Sequence, residues 1–148
     1  MDKHEFENRF RTMQVIWVAL MSGVALFAVV VFSLLTVAGL AFGVLEPRIL
    51  HLAAPALVVL MFLGLAIGRR LEAAIPRDLT PELGLQRYQA ARIVALAMCE
   101  GPGLVAIVFS MLSDQPLWAL AGGAACGWFM FLGRPRRSEA ERYARRGG

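Results

Sequence analysis

Cysteine is scarce in this chain, with two in 148 residues, Cys99 and Cys126. That excludes a disulfide scaffold and a cysteine-rich zinc module. Histidine is equally sparse. His4 and His51 fall at opposite faces of the membrane in the topology read below, and so are not expected to form one metal or haem site. No P-loop, glycine-rich nucleotide motif or Ser/His/Asp set is present, so no cofactor and no catalytic group is expected. Charge is scarce too. Only 18% of residues are charged while 58% are hydrophobic, against about 25% and 45–50% in soluble domains. Disorder is excluded by the same excess of apolar residues.

What is present is long apolar runs. No charged residue occurs between Thr12 and Leu45. Ile49–Gly68 is charge-free apart from His51, Ile93–Ser113 is interrupted only by Glu100, and Gln115–Leu132 is charge-free. A bilayer core of about 30 Å needs roughly 20 apolar helical residues. Backbone in lipid must satisfy its own hydrogen bonds. The expectation is therefore an all-α integral membrane protein forming one four-helix domain over 1–148. Its helices should cover about 13–44, 49–68, 81–112 and 116–133, with a basic tail at 134–148. The first run is too long for a cleaved signal peptide and reads as a signal anchor.

Fourteen of the fifteen basic residues fall in the N-terminal segment, the 69–92 region and the tail. Only Arg48 lies in a turn on the other side. The positive-inside rule then places both termini in the cytoplasm, of a bacterial inner membrane. The turns around Pro47 and around Asp114-Gln115 are short. They predict two antiparallel hairpins, of helices one with two and three with four. Thr80-Pro81-Glu82 is a helix start, and Ser138-x-x-Glu141 matches a capping box. The first turns of the third helix, with Leu83, Leu85 and Tyr88, read as a shelf on the membrane surface or a docking face for a partner.

Small residues recur four apart at Gly39/Gly43, Gly64/Gly68 and Gly123/Gly127. Such pairs let helix backbones approach closely in lipid, within one chain or between copies. Trp17, Trp118 and Trp128 sit near helix ends, as interfacial aromatics do. Cys99 and Cys126 read as small buried hydrophobes. In the tail, Arg134, Arg136, Arg137, Arg142, Arg145 and Arg146 are expected to rest on anionic lipid of the cytoplasmic leaflet. Nucleic acid is not an expected partner. Other membrane subunits, or copies of this chain, are.

Glu100 falls near the predicted midplane, eight residues past Arg92 and thirteen before Ser113. An ionised side chain there costs roughly 2.5–3.5 kcal/mol on insertion scales, and protonation is the cheapest escape. Pro102 frees the carbonyl of Met98, and Gly101 and Gly103 leave room beside the carboxyl. Two readings stand. In one, Glu100 binds a proton or cation. In the other it hydrogen-bonds a freed carbonyl, or Ser22, Ser33 or Thr36 on the first helix, and pins two helices together. A non-catalytic accessory or scaffold subunit of a larger membrane complex is the matching alternative for the whole chain.

The segment Thr80–Leu112 resembles the carboxylate helix of rotor-ring proteolipids of rotary ATPases. There a cytoplasmic loop with a proline leads into a helix with one buried carboxylate, and here Pro81 precedes Glu100 by nineteen residues. The resemblance implies that Glu100 binds a proton or sodium ion and that copies assemble. The chain departs from that family in lacking the Arg-Gln-Pro loop, the alternate glycines of helix one and a second carboxylate. Arg87, Tyr88 and Gln89, leading into Ala97, Glu100, Gly101 and Pro102, also resemble a segment of small bacterial four-helix membrane proteins. That resemblance implies no particular activity.

Overall fold

The computed structural model describes residues 3–40, 42–76 and 78–144. Five helices follow in order: α1 (Lys3–Thr36), α2 (Pro47–Ala73), α3 (Pro81–Leu112), α4 (Pro116–Leu132) and α5 (Arg137–Ala144). The described residues contain no strand. α1, α2 and α3 are long and apolar enough to cross a membrane. α4 qualifies only together with α5, from which it is bent by 41°.

Proline sets three of the starts. Pro47, Pro81 and Pro116 each occupy the first turn of a helix, where the missing N–H costs nothing and φ is already helical. Thr80 stands at the N-cap of α3 in an extended conformation, but its hydroxyl makes no capping bond. The expected capping box is also not formed. α5 already begins at Arg137, and Glu141 accepts a bond from the Arg137 side chain instead.

α1 differs from expectation at both ends. It begins at Lys3 because Phe6, Phe10 and Met13 form an apolar stripe at helical spacing, and all three are buried. It stops at Thr36, well before residue 44. Gly39 and Gly43 take positive φ values of 62° and 53°, which glycine adopts without strain and which end a helix. The stretch from Met13 to Thr36 is about 36 Å long at 1.5 Å per residue, enough for the bilayer. The remaining apolar residues are free to form a loop, tied down where the Leu45 N–H donates to the carbonyl of Leu112. Val37 is 86% and Val44 74% exposed in that loop.

The packing order also differs. Among the described residues no Cα of α1 lies within 8 Å of a Cα of α2, so the first predicted hairpin is not a closely packed pair. α3 lies at the centre, between α2 on one side and α4 with α1 on the other. The close approaches explain why. A Cβ built on Gly64 would sit 2.9 Å from the Cβ of Met98, and one on Gly68 2.4 Å from the Cβ of Ala95, both on α3. Gly103 of α3 meets Cys126 of α4, Gly122 of α4 meets Ala106, and Gly123 meets Ala28 of α1. Residue order along these contacts makes neighbouring helices antiparallel. Two of the three predicted glycine pairs thus change meaning. Gly39 and Gly43 lie outside any helix and turn the chain, and only Gly123 of its pair packs, because nothing stands within 4 Å of Gly127.

Two buried clusters result. The first, within the bundle, gathers Val24, Val31, Met61, Cys99, Ile107, Cys126 and Met130. The thiol of Cys126 donates to the carbonyl of Cys99, and that of Cys99 to the carbonyl of Met61, each at 3.4 Å. Trp17 of α1 donates its indole N–H to the Met130 carbonyl at 3.0 Å. The second cluster lies at the arginine-rich end and joins Phe6, Phe10, Met13, Ile75, Leu85, Tyr88 and Ala140. Of the shelf read from the first turns of α3, Leu85 and Tyr88 are fully buried under the chain's own α1 and α5, while Leu83 stays exposed.

Candidate functional site

Glu100 projects from the middle of α3 and is half-buried. Among the described residues it makes no hydrogen bond and no ion pair. Ser22 and Ser33 are exposed on α1, and the Thr36 hydroxyl is spent on the Phe32 carbonyl at 2.8 Å. The expected bond from Glu100 to Ser33 or its neighbours is not formed. Nor do the flanking residues gather round the carboxyl. Met98 packs on Gly64 of α2, about 160° round the helix from Glu100 at 100° per residue. Gly103 is filled by Cys126, and Gly101 faces open space. Pro102 stays inside a continuous α3. No group of three or more His, Cys, Asp or Glu able to hold a metal occurs among the described residues.

The polar centre that does assemble lies two turns away, at the arginine-rich end. Arg92 of α3 reaches three partners. Its Nε is 2.8 Å from Oε1 of Glu72 on α2, its Nη2 contacts Oε2 of Glu139 on α5, and its Nη1 donates to the Gly133 carbonyl at 3.4 Å. The guanidinium also stands over the Tyr88 ring, 5.3 Å from its centroid. Tyr88 donates its hydroxyl to Glu139 at 3.2 Å. It stacks on Tyr143 at 5.2 Å between centroids, and Tyr143 donates to the backbone carbonyl of Glu72 at 3.2 Å. Gln89 completes the seam by donating to the Arg9 carbonyl of α1.

The burial here is deep for charged groups. Arg92 is 11% and Glu72 13% exposed. The Arg92 Nε and Glu72 Oε1 are close but out of line, and neither makes a hydrogen bond. Glu72 lies beyond the apolar run that ends at Gly68. Burial pushes its carboxyl up from its ordinary value, against the opposing pull of Arg92.

The tail is less free than a lipid-facing ribbon. Arg137 pairs with Glu7 of α1 and with Glu141, and Arg134 lies over the Phe131 ring at 4.7 Å. Arg136 and Arg142 are exposed. Arg145 and Arg146 lie outside the described residues. At the opposite end of the bundle His51 and Trp118 meet edge to face at 5.1 Å, joining the starts of α2 and α4.

The sequence reading singled out Glu100 and missed the Arg92 centre. A signal was available. Tyr88 and Arg92 are four apart on α3, and Glu139 and Tyr143 are four apart on α5. Each pair therefore shares one helix face with complementary chemistry. Compared with protein families, with curated proteins and with solved structures, the chain matches none.

Proposed function

We propose that this chain is a small, non-enzymatic integral membrane subunit in which Glu100 carries an exchangeable proton at a face met by a neighbouring chain. In this reading α1 to α4 all span the membrane, α4 as a short span of 17 residues. Both termini lie in the cytoplasm, and the membrane is the inner membrane of a bacterium. One observation carries it. Among the described residues Glu100 has no hydrogen-bond or ion-pair partner, while Arg92, the nearest basic residue on α3, is paired with Glu72 and Glu139. A carboxyl that its own chain neither neutralises nor binds needs a proton or another chain. The accessory-subunit reading draws on the same fact, with Glu100 as a fixed hydrogen-bond donor to a partner helix beside the open Gly101.

Labelling and substitution separate the two. A lipid-soluble carbodiimide attacks protonated carboxyls in apolar sites. In native membranes it is expected to modify Glu100 ahead of every other carboxylate. Glu100→Gln keeps a donor but cannot release a proton. It is expected to assemble normally and abolish function in cells that depend on the protein. Full function with Gln would refute the proton role and leave the fixed-donor role.

Orientation has its own check. Reporter fusions after Gly148 and between Asp78 and Thr80 are expected to report the cytoplasm, and one after Asp114 the opposite side. A non-cytoplasmic signal from the C-terminal fusion would refute four spans.

A further inference from the structure

A cavity of about 380 Å³ lies beside Arg92 at the arginine-rich end of the bundle. Leu65 of α2 and Leu132 of α4 form an apolar part of its wall. Three guanidiniums, Arg69, Arg92 and Arg136, line it together with two carboxylates, Glu72 and Glu139. Both carboxylates are engaged by Arg92. Arg69 and Arg136 are exposed and have no carboxylate within ion-pair distance among the described residues. Two buried atoms of its lining residues, Nε of Arg92 and Oε1 of Glu72, make no hydrogen bond.

We infer that this cavity binds the phosphodiester headgroup of an anionic phospholipid, with Arg69 and Arg136 holding the phosphate and the first acyl carbons lying along Leu65 and Leu132. The site sits where the apolar runs of α2 and α4 end, at headgroup level for a bundle of this length. Basic pockets between membrane helices select anionic headgroups. Guanidinium forks match phosphate oxygens in pairs. The volume falls within the usual range of small-ligand sites, about 300–1,000 Å³. Three arginines against two carboxylates leave the lining one positive charge in excess, which favours an anionic lipid over a zwitterionic one. This assignment does not depend on the role of Glu100.

Native mass spectrometry of the full chain from mild detergent tests it, with phosphatidylglycerol and phosphatidylcholine as probes. One tightly held phosphatidylglycerol per chain is expected, with phosphatidylcholine bound at least about tenfold more weakly. Equal retention of the two lipids would overturn the site without any substitution. Arg69→Gln with Arg136→Gln is expected to lower phosphatidylglycerol retention by about tenfold or more at an unchanged melting temperature. Arg11→Gln with Arg142→Gln, an equal change of charge at exposed positions outside the cavity, is expected to leave it within about twofold. Equal losses in the two variants would replace the site by diffuse attraction to the basic end. Soluble glycerol 3-phosphate at the same concentration is expected not to displace the lipid, because it lacks the acyl carbons. Displacement would reassign the cavity to a soluble phosphate ester.

Discussion

Arg92→Ala is expected to cost about 3–5 kcal/mol of bundle stability, more than any other single removal of charge in the chain. The figure is that for breaking a buried ion pair by deleting one partner, which leaves the other charge buried without compensation. Here two carboxylates are left, Glu72 and Glu139, together with the Gly133 carbonyl and the face of Tyr88. Unfolding by dodecyl sulfate titrated into mild detergent measures the loss. Limited proteolysis should show α5 cut first. Arg92→Lys is expected to recover only part, because an ammonium cannot bridge both carboxylates with a fixed fork. The triple change Arg92→Met, Glu72→Met, Glu139→Met is expected to regain most of the stability, since apolar replacements of a buried charge network are often neutral or better. Arg137→Ala, at an exposed pair, should cost far less than Arg92→Ala. Equal losses at positions 92 and 137 would show that the Arg92 centre is solvated and energetically ordinary.

The second large effect is steric. A Cβ on Gly103 would stand 2.5 Å from the Cβ and 2.6 Å from the Sγ of Cys126, and a Cβ on Gly68 2.4 Å from the Cβ of Ala95. Neither neighbour is the far end of a flexible side chain, so the helices themselves must separate. Overpacking of this kind costs about 1–3 kcal/mol per site. Gly103→Ala and Gly68→Ala are each expected to lose that much in the same unfolding assay. Adding Ala95→Gly to Gly68→Ala should restore most of it, because the methyl group is only moved across the contact. Gly101→Ala, with nothing within 4 Å, is expected to be neutral or to gain up to about 1 kcal/mol from helix propensity. A loss at Gly101 as large as at Gly103 would refute the packing of α3 on α4.

Apolar runs and prolines made the helices legible in the sequence, because run length and a fixed φ act locally. α3 starts at Pro81 and ends at Leu112, and α4 starts at Pro116, as the residues alone indicate. Partnering was not legible. Gly39-x-x-x-Gly43 and Gly64-x-x-x-Gly68 look alike as strings, yet one turns the chain at positive φ and the other fits against α3. The difference lies in what faces each glycine, which spacing does not encode. The N-terminal stripe Phe6, Phe10, Met13 was readable as helix but lay outside the long apolar run and was passed over. Glu100 stood out because a lone charge in an apolar run is a local anomaly. Arg92 did not, because near a membrane boundary an arginine is expected, and its partners are 20 and 47 residues away.

The cap at the arginine-rich end also imposes an order of events on biosynthesis. Glu139, Ala140 and Tyr143, which close over Arg92, Tyr88 and the first turns of α1, belong to α5, and α5 leaves the ribosome after the four longer helices. Until then Phe6, Phe10 and Tyr88 lack the cover of α5, and Arg92 has Glu72 but not Glu139. The closing of α5 therefore completes the burial of this end of the bundle. A chain interrupted before residue 137 would insert its apolar helices and still display unburied aromatics and a half-matched arginine, the kind of surface that quality-control proteases engage.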